Sequence, residues 1–92
     1  MKENLIATTE ICTYHGVEYT FISSLSEAGL VELTLIDNTP YIPESQLHKL
    51  EKMIRMHYEL DINIPGIEAI VYLLERVEQL QEQMRIVRNQ LR

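Results

Sequence analysis

Seven apolar residues near the end of the chain recur at alternating steps of three and four without interruption. They are Ile70, Leu73, Val77, Leu80, Met84, Val87 and Leu91. This spacing places them along one face of an α-helix and is typical of a coiled-coil seam. Asn63 is suited to cap that helix and Pro65 to lie in its first turn. The pattern therefore predicts a terminal helix of roughly 27 residues, about 40 Å long.

A helix of that length is longer than the rest of a 92-residue chain can cover. We therefore expect its distal half, from about Gln79 onward, to pair with a second copy of the chain. The residues predicted to form this homodimer seam are Val77, Leu80, Met84, Val87 and Leu91. The alternative is that the apolar face covers the protein's own core. On this interpretation residues 1–62 form one module and residues 63–92 the long helix, within one compact domain overall.

The residues before the long helix predict two short helices preceded by an extended segment. Asn4 to Ala7 suits a leading strand or an extended arm. A first helix is predicted from about Thr9 to Tyr14, capped by the hydroxyl of Thr8 or Thr9 and ended by Gly16. A second helix is predicted from about Glu18 to Glu27, with its apolar face formed by Phe21, Ile22, Leu25 and Ala28. Two short helices joined by a glycine-containing turn form a helix-turn-helix.

A β-hairpin, or wing, is predicted to follow. Residues 31–36 are alternating and β-branched and predict a strand, residues 37–40 a turn, and Tyr41–Ile42 a short return strand. Pro43 and Glu44 suit the first turn of a third helix that continues to about Tyr58. The predicted fold class is mainly α: a winged helix-turn-helix with a small β-hairpin wing and a long C-terminal dimerisation helix.

Residues 3–48, the cation-free stretch, contain no lysine and no arginine. Together with Lys2, the carboxylates of this stretch give the first 48 residues a net charge of −6, while the remaining 44 sum to zero. Non-specific affinity for duplex DNA comes mostly from cations that neutralise phosphates. A helix-turn-helix of this charge is a poor DNA reader and is better suited to a basic protein surface. Its seven carboxylates are Glu3, Glu10, Glu18, Glu27, Glu32, Asp37 and Glu44.

Several other classes of function have no support in the sequence. His15, His48 and His57 are not spaced as a metal site, and the lone Cys12 is expected to pack in the core. No glycine-rich phosphate loop or catalytic triad spacing is present, so we expect neither an enzyme nor a cofactor. No stretch approaches the length of a membrane span, and the polar start is unlike a signal peptide. A single cysteine fits a reducing compartment, so the expected location is the cytoplasm.

The order of these elements resembles the MerR-type winged helix-turn-helix, and within it the CbpM-type chaperone modulators. The resemblance covers essentially the whole chain. It rests on Thr9-Glu10-Ile11-Cys12, the Gly16-Val17 turn, Glu27-Ala28-Gly29-Leu30-Val31-Glu32, and the segment from His57 to Ile67 that leads into the long helix.

This resemblance implies that the chain binds the J-domain of a DnaJ- or CbpA-like co-chaperone and restrains its action on the Hsp70 partner. J-domains recruit Hsp70 through a positively charged helix face, which an acidic module is suited to occupy. The candidate partner-binding residues are Glu10, Glu18, Glu27, Glu32 and Asp37. Tyr14, Tyr19 and Tyr41 are candidate interface anchors, whereas Tyr58 and Tyr72 are expected to pack within the protein.

DNA-binding MerR-like transcriptional regulators are the alternative. Such proteins place arginines in the second helix and the wing, but residues 21–27 and 38–41 contain none. Ser23, Ser24 and Gln46 are chemically able to read bases, yet nothing supplies the phosphate contacts that set register. Nucleic acid is therefore not an expected partner. Two alternatives stay open: an adaptor-like dimer with another partner, and a partner face around Glu59, Asp61 and Glu68.

Overall fold

The computed structural model describes residues 3–91. Residues 1–2 of the predicted module 1–62 and residue 92 of the predicted long helix 63–92 lie outside the described residues. The described residues form four α-helices and a small three-stranded sheet, which confirms the predicted mainly α, winged helix-turn-helix fold. A single 3-10 turn, Glu44–Gln46, precedes the third helix. The elements in chain order are β1 (Leu5–Ala7), α1 (Thr8–His15), α2 (Tyr19–Glu27), β2 (Thr34–Ile36), β3 (Thr39–Pro43), α3 (Leu47–Tyr58) and α4 (Ile64–Gln90).

The turn between α1 and α2 forms as the sequence predicts. Gly16 ends α1 with φ of 66°, a left-handed conformation that glycine adopts at little cost. Its N–H donates to the carbonyl of Cys12. The second helix begins one residue later than predicted, because Glu18 keeps an extended backbone and occupies the N-cap position.

The predicted hydroxyl cap of α1 is wrong. Ala7 occupies the N-cap position, and no side chain there bonds the helix end. Thr8 is instead buried, with 1% of its surface exposed. Its hydroxyl donates to the carbonyl of Pro40 on β3 at 3.1 Å. The same hydroxyl that sequence reasoning assigned to a local cap therefore joins α1 to the wing.

The wing is a two-residue hairpin within an antiparallel sheet of order β1-β3-β2. Asp37 and Asn38 form its loop with φ values of 51° and 65°, the geometry whose twist matches that of paired strands. The first wing strand is shorter than predicted, because Val31 is drawn into the core and the Glu32 N–H donates to Gln46 Oε1 at 2.9 Å. The return strand is longer than predicted and pairs with both neighbours.

The third helix begins later than predicted. Pro43 ends β3, and the N–H of Glu44 donates to the carbonyl of Asn4 at 2.8 Å, so this residue still belongs to the sheet edge. The N–H of Ser45 donates to Glu3 Oε1 at 3.1 Å. These contacts with the N-terminal arm hold residues 44–46 in a 3-10 turn, and regular α-helix starts only at Leu47.

The core lies where the two helices of the turn, the middle strand, α3 and the base of α4 meet. Ile22, Leu25, Ile42, Leu50 and Ile67 have no exposed surface. Burying each such side chain stabilises the fold by about 1.5–3 kcal/mol. The buried apolar set consists of Ile11, Val17, Phe21, Ile22, Leu25, Leu30, Val31, Ile42, Leu50, Met53, Ile54 and Ile67.

Helix α4 is anchored in the core only at its start. Asn63 Oδ1 accepts from the N–H of Gly66 at 2.9 Å and Pro65 lies in the first turn, which confirms the predicted cap and the 27-residue length. Every residue from 72 to 91 is exposed, including Tyr72, whose predicted packing is wrong. The radius of gyration of 16.1 Å exceeds the ~12 Å of a compact chain of this length. The helix therefore projects from the body.

Replacing Asn63 by alanine removes the side chain that caps α4. We expect Asn63→Ala to lower the free energy of unfolding by about 1 kcal/mol, because the N–H of Gly66 loses its acceptor. Asn63→Ser is the matched control, since a serine hydroxyl can accept the same bond. Urea denaturation followed by circular dichroism measures both variants, and equal stability of the two would contradict a capping role.

Candidate protein-interaction surface

The five predicted partner-binding carboxylates are exposed. They are spread over the part of the chain before α4, residues 3–62 of the described chain, which we call the winged module. Glu10 lies on α1, Glu18 and Glu27 flank the two ends of α2, Glu32 precedes β2, and Asp37 lies in the wing loop. The ion pairs between described side chains involve other residues, His15 with Glu51 at 3.4 Å and Arg85 with Glu82 at 2.6 Å. The negative charge of these five positions is therefore not neutralised within the described chain.

The backbone of two of these residues is held by contacts from distant segments. The N–H of Glu18 donates to the hydroxyl of Tyr58 at 3.3 Å, which ties the start of α2 to the end of α3. The N–H of Glu32 is bonded to Gln46. The Glu18 carboxylate accepts a hydrogen bond from the hydroxyl of Thr20 at 3.3 Å. Neither the Glu18 nor the Glu32 carboxylate pairs with a described cation, and both project from backbone positions that these contacts fix.

An aromatic cluster supports the position of Glu18. Phe21 stacks on His57 with ring centroids 4.6 Å apart and meets the edge of Tyr58 at 5.4 Å. His57 Nδ1 donates to the carbonyl of Ile62 at 2.8 Å. Tyr58 is therefore part of the packing, as predicted, although 44% of its surface is exposed. These contacts explain His57 as a structural residue.

Two shallow grooves flank α1. The first, which we call the wing groove, lies between α1, the start of α2 and the wing. The second, the α1–α3 groove, is lined by Glu10, Tyr14, His15 and Glu51 together with apolar residues. The wing groove is lined by Thr8, Thr9, Cys12, Thr13, Tyr19, Leu35, Asn38 and Pro40.

The structure does not gather the five carboxylates in one groove. Glu18 and Asp37 immediately precede Tyr19 and Asn38, which line the wing groove. Glu10 lines the α1–α3 groove instead. Glu27 and Glu32 line neither groove. The negative charge is therefore spread over the whole winged module, and neither groove is close in sequence to all five carboxylates.

The predicted tyrosine anchors also separate. Tyr19 lines the wing groove, Tyr14 lines the α1–α3 groove with 83% of its surface exposed, and Tyr41 is half-buried on β3. Sequence reasoning missed Leu35, which is 68% exposed and lines the wing groove beside Tyr19. The exposure of Leu35 could have been predicted from two features of the sequence. Leu35 lies in an alternating strand pattern, and it comes two residues before the Asp37-Asn38 turn.

The described part of the chain contains no cluster of side chains suited to bind a metal ion and no activated thiol. No three histidine, cysteine or acidic side chains in residues 3–91 lie close enough together to hold a metal ion. Cys12 packs against the core, as predicted, and burial raises the pKa of its thiol. A raised pKa leaves less of the nucleophilic thiolate at neutral pH.

Helix α4 presents a second candidate surface, which we call the distal face. Its members Val77, Leu80, Met84, Val87 and Leu91, the predicted dimerisation residues, are between 47% and 82% exposed. Helix α3 lies beside α4 as far as Glu78. The groove between the two helices, the α3–α4 groove, is lined among others by Lys49, Lys52, Glu75 and Glu78. An exposed apolar face of this extent is a candidate interaction surface. In the described segment, no helix is both long enough and apolar enough to cross a bilayer.

Comparison with known proteins identifies the family of this chain. A model of the MerR HTH family of regulatory proteins matches residues 6–89. The chain belongs to this family. In this chain α1 and α2 form the helix-turn-helix and the β2–β3 hairpin forms the wing, and the five predicted carboxylates lie on or beside these elements.

Curated MerR-like relatives carry the name "Chaperone modulatory protein CbpM". They come from Escherichia coli O1:K1 / APEC, O45:K1 (strain S88 / ExPEC) and O139:H28 (strain E24377A / ETEC). Each is 24% identical to this chain over 84 residues, covering 90% of this chain and 83% of the relative. This confirms the resemblance to CbpM-type, MerR-like proteins. Neither the family name nor these names denotes an enzyme, and no solved structure matches the chain.

Neutralising the carboxylates of this MerR-like module should leave its stability unchanged. Glu27 and Glu32 are exposed and make no ion pair in the described chain. We expect Glu27→Gln and Glu32→Gln each to change the free energy of unfolding by less than about 0.5 kcal/mol. Urea denaturation measures the change. A loss above about 1 kcal/mol would show that these carboxylates serve the fold and are not free for a partner.

Proposed function

We propose that this protein modulates a DnaJ-type co-chaperone, as an inhibitor, by binding the basic surface of its J-domain. The similarity to proteins named as chaperone modulators, over 90% of the chain, supports the choice of a chaperone system. The observation that carries the choice of surface is the cation-free stretch, whose exposed carboxylates have no neutralising partner in residues 3–91. A DnaJ-type partner would place the protein in the cytoplasm.

The mechanism is stoichiometric masking. A J-domain engages Hsp70 through a positively charged helix face, and the acidic winged module covers that face. Complementary potential accelerates encounter and fixes orientation more than it adds affinity. At physiological salt the Debye length is about 8 Å, so the carboxylates nearest the contact dominate. Glu18 and Glu32 are suited to this role because contacts with Tyr58 and Gln46 fix their backbone before binding.

The MerR family name is also compatible with a DNA-binding regulator. Neither α2 nor the wing holds a lysine or an arginine. Lys49 and Lys52 line the α3–α4 groove together with Glu75 and Glu78, so the lining of that groove is mixed in charge. A discrete, sequence-dependent complex in a mobility-shift assay at physiological salt would decide for this alternative.

We further propose that residues 63–92 pair with a second copy through the distal face, while residues 1–62 carry the partner-binding surface. The exposed apolar residues continue past Glu78, beyond the groove that α3 forms with α4. Their heptad spacing suits a two-helix seam. Pairing removes this apolar area from water, at about 25 cal/mol for each Å² buried.

Reversing two charges on the winged module tests the partner surface. We expect Glu18→Lys with Glu27→Lys to weaken binding of the J-domain and to flatten its salt dependence, because two attractive charges become repulsive. Titration calorimetry at two salt concentrations measures both quantities.

The matched control for this experiment is Glu59→Lys with Glu68→Lys, which makes the same charge change outside the cation-free stretch. The control should leave the salt slope close to that of the wild type. If the control weakens binding and the test pair does not, the partner face lies around the α3–α4 junction instead.

Placing charge on the distal face tests the proposed dimer. We expect Leu80→Asp with Met84→Asp to yield monomers, since two buried carboxylates would face their copies across an apolar seam. Sedimentation velocity at micromolar concentration measures the change. Gln79→Asp with Asn89→Asp, which adds the same charge on other sides of the helix, should remain dimeric. A monomeric wild-type chain would contradict the seam directly.

A further inference from the structure

The wing groove contains exposed apolar side chains, and two of its lining residues directly follow a carboxylate residue in the sequence. Leu35 on β2 and Tyr19 in the first turn of α2 are 68% and 43% exposed, and both line this groove. Pro40 lies directly opposite Leu35 in the hairpin register, so the two side chains share one face of the wing. The groove is therefore an apolar depression on the most acidic part of the molecule.

The exposure of Leu35 is fixed by the fold. The two-residue loop at Asp37 and Asn38 sets the pairing of Leu35 with Pro40. A one-residue slip of register would turn Leu35 to the opposite face of the hairpin. The hydroxyl of Thr8 holds Pro40 against α1 through a buried hydrogen bond. Both walls of the groove are thus held in place before any partner arrives.

The charges around the groove define the chemistry of its occupant. Glu18 precedes Tyr19 and Asp37 precedes Asn38, and the cation-free stretch supplies no positive side chain nearby in sequence. Two other grooves differ, because the α1–α3 groove contains the His15–Glu51 pair and the α3–α4 groove contains Lys49 and Lys52. Compared with these two, the wing groove better suits an apolar side chain flanked by cations.

We propose that the wing groove receives an apolar side chain from the basic surface of the J-domain, with Leu35 and Tyr19 as the energetic anchors of the interface. Glu18 and Asp37 pair with the cations on either side of that residue. This inference rests on the proposed function and deepens it from a charged region to a defined contact. Apolar and aromatic anchors in a pocket dominate binding energy, whereas charges at a solvated rim contribute less.

Substitutions on the two faces of the same strand test the proposal. Leu35→Ser should weaken binding of the isolated J-domain of the organism's own DnaJ-type protein by about tenfold or more, as loss of an interface anchor does. Because the lost contact is apolar, the loss should be similar at low and high salt. Tyr19→Ala is a second variant with the same expected direction. Titration calorimetry gives the dissociation constants, and thermal unfolding verifies that each variant is folded.

The matched control is Ile36→Ser, which removes an exposed apolar side chain from the next position of β2, on the opposite face. This control should bind within about twofold of the wild type, since Ile36 does not line the wing groove.

The possible outcomes separate this inference from the function on which it rests. If the J-domain binds the wild type and Leu35→Ser equally well, the wing groove is not the contact and the proposed function stands. If Ile36→Ser alone weakens binding, the contact lies on the opposite face of the wing. If Leu35→Ser changes sedimentation of the free protein, the occupant is a second copy. Absence of any complex with the wild type would overturn the proposed function together with this inference.

Discussion

The buried hydroxyl of Thr8 is the contact on which the arrangement of the winged module depends. It bonds the carbonyl of Pro40 across 32 positions of sequence and so fixes the wing against the first helix. Leaving a buried polar group unpaired costs about 1–3 kcal/mol, so this bond strongly favours one position of the hairpin. The sheet register then determines which side chains of β2 face α1. The wing groove follows from this contact together with the pairing of β3 with β1 and β2.

The fold keeps two kinds of unpartnered surface apart. The body carries uncompensated negative charge over a packed core, while α4 carries apolar residues with little net charge beyond it. Charge attracts partners over several ångströms but is screened by salt, whereas apolar contact acts only at short range and is insensitive to salt. A protein with both surfaces on separate elements can bind two different partners without competition between them. The proposed J-domain contact and the proposed self-association are compatible for this reason.

Local signals predicted the helical skeleton well and the tertiary contacts poorly. The cap at Asn63, the stop at Gly16 and the length of α4 depend on neighbours in sequence, and all three are confirmed. The Thr8 hydroxyl carries the same local signal whether it caps a helix or bonds a distant carbonyl, so sequence alone misassigned it. The sequence pattern places Val31 in a strand, but the structure buries Val31 in the core before β2 begins. The separation of the five carboxylates between grooves likewise depends on helix packing, which a count of charges along the chain does not contain.

The projecting half of α4 links helix order to protein concentration. Past Glu78, every described residue of α4 is exposed, so its last turns rely mainly on their own backbone hydrogen bonds. An isolated helix of such length is marginal in water. Self-association would therefore supply much of the order of these turns, and by mass action that order would rise with abundance. The amount of the protein in the cell would then set how much of it is fully folded as well as how much partner it can occupy.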